Sequence, residues 1–323
     1  MRILWVSDIH LNLNKNIEWE TNRYNKLFNI LVDVSDTVDL TILGGDIFDN
    51  PQPSLKELNL FYTNLRKFKN PVTIISGNHE NIDKTLSTFN LIPELYFEYV
   101  DYKILSTKKT DIYLCSHKNL KDLYGIRREL KNKQNLLLTH VRCSVPPHIK
   151  EEVDCKFLSS AFDLVISGDI HFKYSPFDNF HYAGQPYSTT YKQEVSNGYF
   201  IIDTDTLDFE YQELHLPSKI KYEVPIDGLK KLQLSDNNLY KIRVSGGIEE
   251  LQDLPKDNGN VTYEKIVITN ESTEDKEALN VTDGRLNIIE VLMDTVKETY
   301  GLGEDLMETG RGLIDGISSK YTR

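Results

Sequence analysis

Aspartate, histidine and asparagine recur in five short clusters: Asp8-Ile9-His10, Gly45-Asp46-Ile47-Phe48-Asp49, Gly77-Asn78-His79-Glu80, Thr139-His140 and Gly168-Asp169-Ile170-His171. Carboxylate, imidazole and amide oxygen are the donors of borderline-to-hard divalent cations such as Mn²⁺, Fe²⁺ or Zn²⁺. Asp8 and His10 stand two apart where a strand would end, so both can turn into one cavity. Asp46 follows a glycine pair and can come close enough to use both carboxylate oxygens. A carboxylate that bridges two cations about 3.5–4 Å apart is the hinge of a two-metal site. Asn78, His140, Asp169 and His171 then complete two four-donor sets that share Asp46. His79 is left over. On its tight turn it is placed as an acid toward a leaving group or a non-bridging phosphate oxygen, with Asp49 as a hydrogen-bonding partner for its ring. Taken singly, each cluster is an ordinary turn or a core histidine. Their order, and their common position at strand ends, point to one metal centre. Among the other histidines, His117 and His148 read as exposed loop residues and His215 has no role. His181, just before Tyr182-Ala183-Gly184-Gln185-Pro186-Tyr187, reads either as a neighbour of the site or as structural.

The elements that must position these residues alternate in the first part of the chain. Buried strands are expected at 3–7, 40–43 and 72–76, each ending at a cluster. Leu27, Ile30, Leu31 and Val34 recur at helical spacing and predict a helix over 22–35. Ser54, after Pro51 and Pro53, is placed to cap a second helix carrying Leu55, Leu58, Phe61, Tyr62 and Leu65. This β-α-β-α-β rhythm implies a parallel sheet with its ligands at the carboxyl ends of the strands. From about residue 95 strands follow closely, at 102–105, 112–115, 136–139, 164–167, 181–183, 199–202 and 209–214, with a helix over 120–130. The fold class expected is α/β, with two packed sheets flanked by helices.

After Pro217 the clusters stop. Residues 218–269 read as a small α+β unit with strands at 220–224, 240–244 and 263–269 and short helices near 229–232 and 248–251. Residues 270–284 hold Glu271, Glu274, Asp275 and Glu277 without an aromatic residue, as a flexible linker does. Leu286, Ile289, Met293, Val296 and Tyr300 then form an amphipathic stripe, broken at Gly301 and Gly303, and Leu306, Leu313 and Ile317 form a second. A helix-loop-helix over 285–323 cannot bury these stripes alone.

Composition sets outer bounds. With 39% apolar and 27% charged residues the 323-residue chain suits a globular protein of one large domain with appendages. Cys115, Cys143 and Cys155 are odd in number and show no CxxC spacing. They argue against a disulfide framework and for a reducing, cytoplasmic setting. No basic leader precedes the first strand, and no apolar run nears the roughly 20 residues of a membrane span. The net charge of −12 counts against nonspecific nucleic-acid binding. Two dications at the site would reverse that sign locally. Basic clusters at Lys108-Lys109 and from Arg127-Arg128 to Lys133 read as solvated faces.

The motif series over residues 8–171 resembles the calcineurin-like metallophosphoesterase superfamily. Gly45-Asp46-Ile47-Phe48-Asp49 followed by Pro53-Ser54, and Tyr182-Ala183-Gly184-Gln185-Pro186, are similar to the SbcD-type nucleases of double-strand-break repair, in their compact bacterial or phage form. The resemblance implies a nuclease domain over 1–217, a capping domain over 218–269, a linker over 270–284 and a helix-loop-helix over 285–323 that docks an SMC-like ATPase of the SbcC type. It implies one metal on Asp8, His10, Asp46 and His171 and another on Asp46, Asn78, His140 and Asp169, with His79 catalytic and Asp49 orienting it. It also implies Mn²⁺ as cofactor with Mg²⁺ as the alternative, DNA as substrate, 3′-to-5′ exonuclease and single-strand or hairpin endonuclease activity, and a homodimer formed through the regions 58–65 and 86–91. One position departs: the family's last motif is Gly-His-x-His, and here it is Gly168-Asp169-Ile170-His171. An aspartate there is a harder, anionic donor. A phosphoprotein phosphatase or small-molecule phosphodiesterase would use the same centre, but would need neither a cap nor a distal docking stripe.

Overall fold

The computed structural model describes residues 1–125, 133–144, 151–191, 198–257 and 259–267. Two six-stranded sheets face each other. The first contains β1 (Arg2–Val6), β2 (Leu40–Gly44), β3 (Val72–Ile75) and β4 (Glu98–Tyr99), mutually parallel, and β11 (Gly198–Asp203) and β12 (Phe209–Glu213), which pair antiparallel beyond β1. The second contains β5 (Tyr102–Ser106), β6 (Thr110–Cys115), β7 (Gln134–His140), β8 (Leu164–Gly168), β9 (Tyr174–Phe177) and β10 (Phe180–Tyr182), in the order β5-β6-β7-β8-β10-β9. Its β6, β7, β8 and β10 run parallel.

Side-chain alternation explains the layers. Ile3 and Trp5 of β1 point between the sheets, where they meet Ile42, Leu114, Leu138 and Ile166. Leu4 and Val6 point outward into a second core with Leu27, Phe28 and Leu31 of α1 (Ile17–Ser35) and Phe61 and Leu65 of α2 (Leu55–Leu65). A third core lies outside the second sheet, under Leu158 of α3 (Cys155–Ala161). Strands covered on both faces read as unbroken apolar runs, which is why β2, β7 and β8 stand out in the sequence. Gly44 is required at the end of β2, because a Cβ there would lie 2.2 Å from the Trp5 ring.

Several expectations are refined. Helix α1 begins five residues earlier than its apolar periodicity, since its first turn carries the polar Glu18 and Glu20. Ser54 caps α2 in a full capping box with Glu57. The segment 117–124 is a 3₁₀ helix, and the rest of the expected helix over 120–130 falls partly outside the described residues. On α2, Phe61 and Leu65 are fully buried in the core. Exposed apolar side chains include Leu55 at the start of α2 and Leu91, Leu95 and Tyr96. The cysteine expectation is corrected: Cys143 and Cys155 form a disulfide, while Cys115 is free and buried. Cys143 follows β7 and Cys155 opens α3; 12 apart in sequence, they have a Cα separation of 5.7 Å, within bridging range. Cysteine usage therefore gives no support to a reducing compartment.

A third, three-stranded sheet of parallel β13 (Lys219–Pro225), β14 (Leu239–Gly246) and β15 (Val261–Val267) has its own small core around Tyr240, Ile242, Val244 and Leu251. Residues 1–268 form one compact unit. His148, the expected linker over 270–284 and the helix-loop-helix over 285–323 lie outside the described residues. Among the described residues no helix is long and apolar enough to cross a membrane.

Candidate metal centre

Every cluster sits at the carboxyl end of a parallel strand: Asp8 and His10 after β1, Asp46 and Asp49 after β2, Asn78 and His79 after β3, His140 at the end of β7, and Asp169 and His171 after β8. The two sheets thus deliver these candidate ligands to one edge of the sandwich. The loops after β1 and β2 are laced together by main-chain bonds, Asp8 N–H to Gly45 O at 2.9 Å and His10 N–H to Asp46 O at 2.8 Å. Six non-glycine residues among those described have positive φ, and four of them are Asp8, His10, Asp46 and Asp169. Such backbones cost on the order of 1–3 kcal/mol each and persist where surrounding structure enforces them. Gly77 lets the loop after β3 close on Asp46, since a Cβ there would lie 2.1 Å from Asp46 Oδ1.

Two donor groups result. One ligating atom each from Asp8, His10, Asp46 and His171 lie within 4.8 Å of one another. Their imidazoles point nitrogen to nitrogen, His10 Nε2 to His171 Nε2 at 3.1 Å, with Asp46 Oδ2 3.6 Å from His10 and Asp8 Oδ1 3.7 Å from His171. On the other side of Asp46, the terminal amide atom of Asn78 lies 3.2 Å from Asp46 Oδ2, 3.2 Å from Asp169 Oδ1 and 3.3 Å from His140 Nε2. With the amide oxygen there and His140 Nε2 deprotonated, four acceptors face one another. A cation with bonds near ~2.1 Å holds its ligand atoms about 3 Å apart, so both groups fit one. Turning the amide over would replace the cation by hydrogen bonds. Nδ1 of His140 donates to Gly44 O at 2.8 Å, so Nε2, 3.3 Å from Asp46 Oδ2, is the nitrogen that a cation would take once its proton is displaced. The structure places Asp169 beside Asp8, its N–H donating to Asp8 Oδ1 at 3.0 Å.

The electrostatics of this metal-free cluster follow from burial and close charge. Burial, with Asp46 nearby, pushes the Asp8 carboxyl up to about 6. Burial works against the charged forms of Asp46 and His140 too, but their mutual attraction wins, holding Asp46 well below and His140 well above their ordinary ranges. His10 likewise is raised, the carboxylates of Asp49, Asp46 and Asp8 outweighing its burial. His171 drops to about 4, through burial and the neighbouring His10.

His79 stands apart from both donor sets in its bonding. Its N–H donates to Asp46 Oδ1 at 2.9 Å and its ring Nδ1 donates to the main-chain carbonyl of Asp49 at 2.7 Å. This corrects the expected role of the Asp49 side chain. The carboxylate makes no hydrogen bond to His79: it lies 3.3 Å from His10 Nδ1 and takes a bond from the Asn12 amide at 2.6 Å, with one oxygen within 4.8 Å of ring nitrogens of both His10 and His79. Two further groups escaped the sequence. Glu80 is wholly buried and its carboxylate accepts from Asp46 N at 3.0 Å, Gly77 N at 2.8 Å and Phe48 N at 2.9 Å, tying the β2 and β3 loops together. Its position directly after Gly-Asn-His, where a turn leaves N–H groups unpaired, was the available signal. His117, expected as an exposed loop residue, is mostly buried beside His140 at a ring distance of 6.5 Å, held by Asn81 at 2.8 Å and Glu152 at 3.2 Å. His181 bonds Ser175 and packs on Phe209, the structural alternative.

A phosphoesterase centre on a two-sheet α/β sandwich is the class that fold and site define. The family description of the calcineurin-like phosphoesterases matches residues 1–173, more than half of the chain, and the chain belongs to that family. Among its relatives, "Probable exonuclease subunit 1" of Escherichia phage T5 is 30% identical over an alignment of 346 positions that spans 100% of this chain and 99% of the phage protein. "DNA double-strand break repair protein Mre11" of Nanoarchaeum equitans is 29% identical over 242 positions, covering 62% of this chain and 66% of that protein. One component of the SbcCD nuclease of Bacillus subtilis is 29% identical over 111 positions, 32% of this chain and 28% of its own length.

Proposed function

We propose that the protein is a two-metal DNA nuclease, a 3′-to-5′ exonuclease on duplex ends and an endonuclease on single strands and hairpins, serving as the nuclease subunit of an SbcCD-like complex. The observation that carries this reading is the match to the phage exonuclease subunit from end to end. The donor sets alone define phosphoester hydrolysis and leave the substrate open. A likeness that runs through residues 174–323 favours a nuclease, because a simple phosphatase has no use for that region.

In this reading Asp8, His10, Asp46 and His171 hold one cation and Asp46, Asn78, His140 and Asp169 the other, with Mn²⁺ the preferred ion and Mg²⁺ the alternative. When bound, the cations supply Lewis acidity, lowering the pKa of water and offsetting charge on the phosphate oxygens. His79 is the acid. With Nδ1 fixed on the Asp49 carbonyl, Nε2 is the nitrogen left to give a proton to the leaving oxygen. Asp49 acts through its carbonyl on His79 and through its carboxylate on His10. The sheet within 218–269 is the cap, and 285–323 is the docking element for the SMC-like ATPase. Leu91, Leu95 and Tyr96 are the apolar surface that a second copy would cover, a claim decided by the mass of the protein in solution. DNA as substrate places the work in the cytoplasm.

The decisive assay is digestion of blunt duplex labelled at the 3′ or the 5′ end, with Mn²⁺ or Mg²⁺. Release of labelled mononucleotide from the 3′ copy is expected. Inactivity on DNA with rapid hydrolysis of a chromogenic phosphate monoester would replace the nuclease reading by the phosphatase one. Docking is checked by co-purification of the ATPase with the full chain. Capture undiminished by acidic substitutions at Leu286 and Met293 would refute it.

A further inference from the structure

The Gln185-Pro186-Tyr187 segment is a motif that the chemistry above leaves unused. Tyr187 is wholly buried, and its hydroxyl donates to the carbonyl of Ile9, the residue between Asp8 and His10. Tyr24 grips the same stretch: its hydroxyl donates to His10 O at 2.9 Å and accepts from Asn12 N at 2.7 Å. The two rings meet edge-on with centroids 5.6 Å apart. Asp8 and His10 hold φ at 58° and 47°, so this stretch is one whose conformation must be imposed from outside.

Behind the tyrosines lies a buried charge cluster. The Arg23 guanidinium sits 4.0 Å over the Tyr187 ring and 4.6 Å over Trp19, pairs with Glu20 and donates to Ser188 O at 2.8 Å. Arg23 and Glu20 are 1% and 3% exposed, burial that a charge tolerates only with its partners in place. Lys219, the first residue of β13, adds an ion pair to Glu20 at 2.8 Å and donates to Thr189 O at 3.2 Å. Trp19 reaches the same small sheet's loop, its Nε1–H donating to Asn237 O at 2.8 Å. Contacts therefore run without a gap from the small sheet, through α1 and Tyr187, to the main chain between Asp8 and His10.

We infer that Lys219, Glu20, Arg23 and Tyr187 form a positioning relay, through which the seating of the small sheet on α1 sets the geometry of the first donor set. The inference rests on the assignment of Asp8 and His10 as ligands of the first cation, made above. A cluster that merely fastened the sheet to the nuclease body would change melting temperature and leave metal affinity alone. A relay changes metal affinity, and cutting it twice does no more than cutting it once.

The test is calorimetric titration of the full chain with Mn²⁺, without DNA. Tyr187→Phe removes only the hydroxyl at the loop end, and Lys219→Met cuts the sheet end. We expect Tyr187→Phe to weaken Mn²⁺ binding at one site by about tenfold, the scale of outer-shell partners. Lys219→Met should weaken the same site to a smaller degree, and Lys219→Arg should restore it. The double variant should bind no more weakly than Tyr187→Phe. Lys241→Met removes an ion pair to Glu264 on the same sheet but away from the relay, and should leave affinity unchanged. Wild-type affinity in folded Tyr187→Phe and Lys219→Met, with only a lowered melting temperature, would overturn the relay and leave the donor set standing. Losses that multiply in the double variant would overturn it as well. A wild type that takes up no Mn²⁺ would overturn the ligand assignment itself and the inference with it.

Discussion

Asp46 and His79 lie in contact yet carry separable tasks. Asp46 Oδ2 faces His10 on one side and His140 on the other, while Oδ1 accepts the His79 N–H. Asp46→Asn puts an amide between two donor sets built for cations, and we expect it to abolish Mn²⁺ binding at both. His79 contributes no atom to either set, so His79→Asn should retain both ions while turnover falls by about 10²–10⁴-fold, the range of a lost general acid. Metal stoichiometry by calorimetry, alongside single-turnover cleavage, separates the two. Equal metal loss in both variants would merge the roles. The types and spacing of the donors were legible in the sequence because ligation chemistry restricts residue type. What was not legible was direction. Asp49 stands where expected, but its carboxylate serves His10 and its carbonyl serves His79, a division fixed by backbone angles that no spacing records. Glu80 went unassigned for a similar reason: its function is to satisfy three N–H groups that exist only once two loops have met.

At the level of elements, the strands buried on both faces were plain as apolar runs, and β1, β2, β3, β7 and β8 fall where those runs do. The short edge strands β4 and β9 were not read, since two to four half-exposed residues carry no periodicity to find. Nor was α3, a seven-residue helix started by Asp154, whose side chain accepts from Phe157 N. Its position also decided the disulfide, because Cys155, the first residue of α3, lies beside Cys143. Helix α2 was announced by its cap, and the cap reaches further than the helix. Glu57, the return partner of Ser54, also accepts from Leu13 N at 2.7 Å and so anchors the loop that leaves His10. Ser54→Ala removes one half of the box and leaves Glu57 on Leu13. The expected cost is about 1 kcal/mol, read as a shift in urea midpoint with unchanged slope. Mn²⁺ affinity should be unaffected; a fall in affinity would mean that the cap itself, and not Glu57 alone, holds the metal loop.

For the molecule as a whole, the centre is a concentration of unfavourable charge that the fold carries for function, and pH exposes it. In the metal-free protein Asp8 is raised to about 6, Glu80 to about 7 by burial and Asp46, and Asp169 upward by burial. Between the ordinary carboxylate range and these values the native state binds protons that the unfolded chain has released, so stability falls as pH rises. His171, lowered to about 4, opposes this below the ordinary histidine value of 6.5, because there the unfolded chain holds the extra proton. Above 6.5 that opposition ends, while His10 and His140, both raised, add their own loss as pH climbs through their folded values. Asp46 acts only in acid, where protonation removes the stability of its depressed carboxylate. The chelator-treated protein should therefore melt at a higher temperature at pH 5 than at pH 8. Divalent cations should invert the order. They require deprotonated ligands, so Mn²⁺ should raise the melting temperature far more at pH 8, where fewer protons compete, than at pH 5. Calorimetric scans at the two pH values, with EDTA or with Mn²⁺, decide it. A metal-free protein more stable at pH 8 would mean that these carboxylates and imidazoles are not held together as described. A Mn²⁺ gain equal at both pH values would mean that the ion binds elsewhere than on them.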